Sequence, residues 1–376
     1  MDHTISQLFD CNCISNGIFS LKSGNISRFY YNLKNLISYP KLLCEISEKV
    51  YSSINQDFDI ICGIPHGGMP IATYISIKYN KPMILVRDKQ KSYGMNNLIE
   101  GEYHSSSRCV IIDDVITSGG SIKEVYSILE NQVNIVNISV VIDRQMHNGL
   151  HFQYNSLINK NDITRYLLDK YISDKKSNLC FSADISDPNK LLDILNNIGD
   201  YIVICKLHVD IIQTDLCPDF LQKLMELANN KSFLLMEDRK FVDISYIVEK
   251  QYNSFKNWAD LVTVHGSVNP GVVRYLSGVL LVANMSNNTF NFNDKCIDIC
   301  EEYNDRVIGF ITQDKIDCNN KICMTPGISH IHTNVDDQKY KTIDDISTDI
   351  AIIGRAIYNS DDPKKVVLSL LKYIDE

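Results

Sequence analysis

The chain has 376 residues, 44% hydrophobic, 22% charged and 9% aromatic, a balance that supports large buried cores and excludes a disordered chain. Lys and Arg number 37 against 46 Asp and Glu, a net charge of −9, which argues against sequence-independent duplex binding by phosphate neutralisation. The opening Met1-Asp2-His3-Thr4 has no signal-peptide character and no apolar run approaches the ~18 residues of a membrane span, so a cytosolic chain with no membrane or nucleic-acid partner is expected.

In the first part of the chain, short β-branched apolar runs at 60–64, 83–86, 109–112 and 138–142 alternate with helical stretches, the texture of a parallel sheet covered on both faces. Residues 162–173 set Ile163, Tyr166, Leu167 and Tyr171 in helical rhythm opposite Asp162, Arg165 and Asp169, a helix that closes this domain. The polar stretch from Asp174 to Asn178 marks the boundary, with domains at 1–172 and 179–376 and a linker at 173–178. Beyond it, apolar runs recur at 179–181, 202–207, 233–236, 261–264, 279–283, 307–311, 322–325 and 350–353, with helix-competent segments such as 219–228 and 244–252 between them. The expected fold is therefore α/β: a parallel-sheet domain followed by a (β/α)8 barrel with its reacting groups at the strands' carboxyl ends. The twelve cysteines stand mostly singly in apolar runs and are read as buried thiols. The closer pairs, Cys11/Cys13 and Cys296/Cys300, lack the second pair that a zinc site needs.

The first chemical motif is a strand, Val110-Ile111-Ile112, running into Asp113-Asp114, then Val115-Ile116, the loop Thr117-Ser118-Gly119-Gly120-Ser121 and a helical pattern from Ile122. Amides of a small-residue loop at a helix N-terminus converge on a phosphate, and two preceding carboxylates can grip sugar hydroxyls or a hydrated Mg2+. An ordinary capped turn would account for the loop but not for the paired acids. These residues resemble the phosphoribosyltransferases, and more narrowly the orotate phosphoribosyltransferases. The likeness extends to Leu21-Lys22-Ser23-Gly24, Gly63-Ile64-Pro65, Pro70-Ile71-Ala72-Thr73, Arg87 through Glu100-Gly101, and Asp143-Arg144.

That resemblance implies that Asp113, Asp114, Thr117, Ser118, Gly119, Gly120 and Ser121 hold phosphoribosyl pyrophosphate. It further implies that Lys22 contacts pyrophosphate or orotate, and that Arg144 pairs with the orotate carboxylate. Arg87, Lys91 and Tyr93-Gly94 match a mobile basic loop, with Lys91 catalytic; Mg2+ is held mainly by phosphoribosyl pyrophosphate, near Asp113 and Asp114. Two positions depart from the family. Asp88 replaces the lysine that usually follows the loop arginine, leaving Lys89 as the next cation, and Arg28 stands where proline is usual and reads as a surface change. Without the resemblance, Arg87-Lys89-Lys91 is the charge run of a solvated loop.

The second motif follows the run 233–236: Glu237-Asp238-Arg239-Lys240-Phe241-Val242-Asp243 places five charges at the end of a buried strand. Alternation puts Asp238 and Lys240 on one face and Glu237 and Arg239 on the other. Lys206, His208 and Asp210 end one preceding strand, and Ser182 and Asp184 another, so three adjacent strands aim ionisable groups at one mouth. These residues resemble the orotidine 5′-monophosphate decarboxylases. Ser286, Thr325-Pro326-Gly327, Gln338, Tyr340, Gly354 and Arg355 match the family's pyrimidine and phosphate contacts.

The resemblance implies cofactor-free decarboxylation by Lys206, Asp238 and Lys240, with Asp243 supplied by a second copy in a homodimer. Ile247 replaces a threonine that in the family reaches the partner's ribose, a loss worth about 1 kcal/mol of binding, and the 286–292 loop is shorter than usual. His265 reads as a structural rim histidine. Taken together, the two halves resemble the uridine monophosphate synthase family, which implies conversion of orotate and phosphoribosyl pyrophosphate through orotidine 5′-monophosphate to UMP. The alternative, suggested by Asp88, is an active decarboxylase joined to a module that only binds or senses phosphoribosyl pyrophosphate.

Overall fold

The computed structural model describes residues 1–20, 26–87, 98–146, 150–213, 218–286, 290–329 and 340–371. By its contacts the chain divides into two units, Met1–Ser15 with Tyr30–Ile163 and Asn16–Phe29 with Thr164–Glu376. The division falls inside the helix Lys160–Lys175, which runs on through part of the expected linker. The polar residues there are tied down: Lys175 Nζ donates to the carbonyls of Gly199, Ile202 and Lys231 at 2.6–2.8 Å, and Ser177 Oγ donates to that of Tyr201 at 2.7 Å. The polar side chains of this stretch thus serve backbone carbonyls of the neighbouring elements.

A two-stranded sheet of β1 (Ile14–Ser20) and β2 (Ile26–Tyr31) precedes the larger sheets. The first unit is built on β3 (Ile60–Gly63), β4 (Met83–Val86), β5 (Ile99–Glu100), β6 (Arg108–Ile116), β7 (Asn134–Asp143) and β8 (Asn155–Asn159), ordered β5-β4-β3-β6-β7-β8. All neighbours pair in parallel except β4 with β5. β6 extends past its apolar run and carries Asp113-Asp114 within the strand, because pairing with β7 continues to Ile116 opposite Asp143.

The second unit is a closed parallel barrel of β9 (Leu179–Ser182), β10 (Ile204–Leu207), β11 (Leu234–Phe241), β12 (Leu261–His265), β13 (Val279–Val282), β14 (Val307–Ile311), β15 (Ile322–Thr325) and β16 (Ile350–Ile353), with β16 returning to β9. Leu235, Val262, Leu281, Phe310 and Ile353, all buried, belong to one continuous apolar core. Ile18 and Ile26, on the outlying hairpin, pack against that same core.

Arg28 is not a surface residue. It is 2% exposed and its guanidinium is fully engaged: Nη1 pairs with Asp260, Nε and Nη2 donate to Asn229 Oδ1 at 3.1 and 3.0 Å, and Nη2 donates to the Phe233 carbonyl at 3.1 Å. Asp260, equally buried, also accepts from the Leu235 amide at 2.8 Å. Arginine's five fixed donors fit such a site, which a proline could not serve.

Candidate active sites

The mouth of the barrel is a cavity lined by Ser182, Asp184, Lys206, His208, Asp238, Lys240, Ser286, Pro326, Gly327, Tyr340, Gly354 and Arg355, with Val282, Met285, Ile311, Ile328 and Ile352 as apolar wall. Of the expected barrel-site residues, Gln338 lies outside the described residues and Asp243 is exposed and does not line this cavity. At the centre, Asp238 Oδ2 accepts from Lys206 Nζ at 2.6 Å and Lys240 Nζ at 2.8 Å, with His208 Nε2 3.2 Å away. His208 Nε2 also lies 3.1 Å from Lys206 Nζ, and Asp184 Oδ1 stands 3.9 Å from that ammonium. Burial opposes the Asp238 charge, yet Lys206, His208 and Lys240 hold the carboxyl well below the usual carboxylate range. Burial likewise works against the Lys206 ammonium, and Asp238 and Asp184 more than offset it. The site therefore holds alternating charges, with Lys206 and Asp238 shielded from water and Lys240, His208 and Asp184 partly open to the cavity.

Asp238 and Lys240 share the inner face, but not through simple alternation. The register between β11 and β12 shifts between Glu237 and Phe241, and Lys240 has φ 48°, the left-handed region that non-glycine residues rarely adopt. The outward pair has unequal fates. Arg239 is exposed, 3.7 Å from Asp210, so Asp210 lies off the mouth, contrary to expectation, in the turn Val209–Ile211. Glu237 is fully buried; its Oε2 accepts from the Val209 amide at 3.3 Å and its Oε1 has no partner among the described residues. Burial pushes this carboxyl up to about 8. His265 packs against Phe290 and Phe292 and bonds Ser267, as a rim histidine would.

In the first unit, Asp113-Asp114 end the inner part of β6, and Thr117, Ser118 and Gly119 lead into the helix Gly120–Leu129. Gly119 has φ +75°, and among the described residues no side chain caps the helix, whose first amides can therefore receive a ligand or solvent. Burial and the adjacent Asp114 push Asp113 well above the usual carboxylate range. Asp114 rests on bare backbone: a Cβ on Gly67 would lie 2.0 Å from its Cγ, and one on Gly68 would lie 2.1 Å from the Ile112 carbonyl oxygen. The Arg144 guanidinium lies 5.0 Å over the Tyr31 ring, and Arg87 pairs with Glu100. Lys22, Asp88, Lys89, Lys91, Tyr93 and Gly94 lie outside the described residues.

Two adjacent carboxylates beside the start of a helix fit a divalent ion whose other ligands come from a bound molecule. Among the described residues, no group of three His, Cys, Asp or Glu side chains could hold a metal by itself. Sequence reading placed Glu237 on the outer face but not its burial, and it missed Thr263 behind the barrel cavity and Gly67-Gly68 under the acid pair. A lone hydroxyl inside the apolar run 261–264 was the one signal available for Thr263.

The chain matches the family model "Phosphoribosyl transferase domain" over residues 34–155 and "Orotidine 5'-phosphate decarboxylase / HUMPS family" over residues 177–370. It is 29% identical to the uridine 5'-monophosphate synthase of Bos taurus over 448 aligned residues, covering 95% of this chain and 93% of that one. Against the uridine 5'-monophosphate synthase of Caenorhabditis elegans the identity is 28%, covering 96% and 92%. The orotidine 5'-phosphate decarboxylase of Pichia kudriavzevii is 35% identical over 50% of this chain and 82% of its own length. With a barrel of this topology and a family match over more than half its length, the chain belongs to the orotidine 5'-phosphate decarboxylase / HUMPS family.

Proposed function

We propose that the chain makes UMP from orotate in two steps, one in each unit. The observation that carries this reading is the Lys206–Asp238–Lys240 network at the mouth of a closed barrel, in a chain that also has a phosphoribosyl transferase domain. In the first step an orotate ring nitrogen bonds to the anomeric carbon of phosphoribosyl pyrophosphate, and pyrophosphate leaves. Thr117 to Ser121 hold the 5-phosphate, Asp113 and Asp114 hold ribose hydroxyls, Lys22 and Arg144 take the orotate, and Arg87 and Lys91 act on the pyrophosphate. Mg2+ supplies neutralisation of the leaving pyrophosphate when bound beside Asp113 and Asp114.

In the second step the bond from pyrimidine C6 to the carboxylate breaks, CO2 departs, and the electron pair stays at C6 until a proton arrives. Lys240 is the cation beside that carbanion and the proton donor, held by Asp238; Lys206 completes the charge alternation. Preorganised charges of this kind act on charge that develops at the transition state, so no cofactor is required of this site. Ser182, Asp184 and His208 face the ribose, Ser286 the pyrimidine, and Pro326, Tyr340, Gly354 and Arg355 the phosphate, with Gln338 assigned to the phosphate from the family resemblance alone. Binding of that remote phosphate lowers the barrier at C6.

Asp243 is supplied by a second copy, which makes the working form a homodimer; its exposure beside exposed Val242, Ile244 and Tyr246 supports this. The chain acts in the cytoplasm, a reading supported by its thiols: the eleven described cysteines are all unpaired and all but Cys44 are buried. Among the described residues no helix is long and apolar enough to cross a membrane. Lys240→Ala tests the assignment. It stops decarboxylation, so that orotidine 5′-monophosphate accumulates from orotate and phosphoribosyl pyrophosphate; near-normal UMP formation by this variant refutes the barrel site.

A further inference from the structure

We propose that Thr263 is a positioning residue for the decarboxylation, one hydroxyl that holds both the Asp238 carboxylate and the Lys240 main chain. The proposal rests on the reading of the barrel mouth given above. Thr263 sits on β12, is fully buried and does not line the cavity, so it touches no substrate there. Its Oγ1 donates to Asp238 Oδ1 at 2.8 Å and accepts from the Lys240 amide at 2.8 Å. A hydroxyl offers one donor and two acceptor positions, and both contacts use it in the proper sense.

The two bonds address two separate weaknesses of the site. Asp238 Oδ2 carries both ammonium groups and His208, which leaves Oδ1 as the atom that decides the carboxylate's rotation. That torsion is intrinsically broad, so an anchor on Oδ1 is what turns Oδ2 toward both lysines at once. Lys240 lies where β11 loses register with β12 and its backbone is left-handed. An amide in such a bulge has lost its ladder partner, and a buried amide without an acceptor is costly; the Thr263 oxygen replaces the missing carbonyl. One side chain thus fixes the direction of the anion and the origin of the lysine that faces it.

Thr263→Val keeps the shape and removes the hydroxyl, whereas Thr263→Ser keeps the hydroxyl. In the full chain fed with orotidine 5′-monophosphate, the valine variant lowers kcat by roughly 10–100-fold with KM within about threefold, as displaced catalytic groups do. The serine variant stays within about threefold of the unaltered chain. The acid limb of kcat moves to higher pH in the valine variant, since Asp238 has lost a donor that favours its ionised form. Unchanged kcat in the valine variant overturns the proposal, as does a serine variant that loses as much. A crystal structure of Thr263→Val provides a reading independent of activity: the Asp238 carboxylate turns and the Lys240 amide shifts, and unchanged positions for both overturn the proposal. If the unaltered chain releases no CO2, the functional reading fails, and the crystal structure still decides the role of Thr263.

Discussion

Replacing Arg28 by methionine removes the cation from a buried pair and leaves Asp260 charged inside the protein. Asp260 still accepts from the Leu235 amide at 2.8 Å but has no cation facing its charge, while the Asn229 side-chain oxygen and the Phe233 carbonyl each lose the guanidinium that faced them. Breaking a buried pair from one side costs about 3–5 kcal/mol, because the orphaned charge retains its desolvation penalty. At ~2–4 °C per kcal/mol for a unit of 150–250 residues, the barrel's melting temperature falls on the order of 6–20 °C. Thermal and urea unfolding followed by circular dichroism measure this directly. The double variant Arg28→Met with Asp260→Asn separates the causes: with the charge also gone, the loss is smaller than for Arg28→Met alone. A single variant destabilised by less than about 1 kcal/mol refutes the reasoning, as does a double variant whose loss equals the sum of the two singles.

Two further predictions concern Glu237 and Gly68. A glutamate that ionises near 4.5 in the unfolded chain and near 8 when folded costs nothing while both states are protonated. As pH rises from 4.5 to 8 the unfolded state gains by ionising first, native stability falls by up to ~1.4 kcal/mol per unit, and the loss levels off above 8. Glu237→Gln removes that slope, so its advantage in melting temperature widens between pH 5 and pH 8; a constant difference contradicts the assignment. Gly68→Ala puts a Cβ 2.1 Å from a backbone oxygen of β6 and 3.0 Å from Asp113 Cα, so the start of the helix Gly68–Tyr79 must move away from the acid pair. Transfer to orotate drops at least ~10-fold while decarboxylation of supplied nucleotide is kept, measured as two separate half-reactions.

Most of the fold was legible because periodicity and burial agree. Seven of the eight barrel runs coincide with observed strands to within about two residues at each end, since strands buried on both faces read as unbroken apolar runs. The exception is β11, which continues to Phe241 through four charged residues. Lys206, Asp238 and Lys240 were legible for a related reason: apolar barrel strands seldom end in alternating charges. Arg28 was not, because a charged residue in a polar hairpin reads as solvent-facing until the Asp260 carboxylate lying far along the sequence is seen to face it. Asp210 was placed at the mouth by strand alternation, which ends at Leu207 where the chain turns. Thr263 and Glu237 lie outside the cavity lining, and their bonds run to a neighbouring strand and to the turn Val209–Ile211, which no spacing within one strand predicts.

The most direct test of the two-step account is the identity of the nucleotide formed when the purified chain is incubated with orotate, phosphoribosyl pyrophosphate and Mg2+. The account predicts UMP, separated by chromatography, with pyrophosphate and CO2 released in equal amounts. Orotidine 5′-monophosphate as the end product contradicts the barrel assignment, and unchanged orotate contradicts the assignment of the first unit.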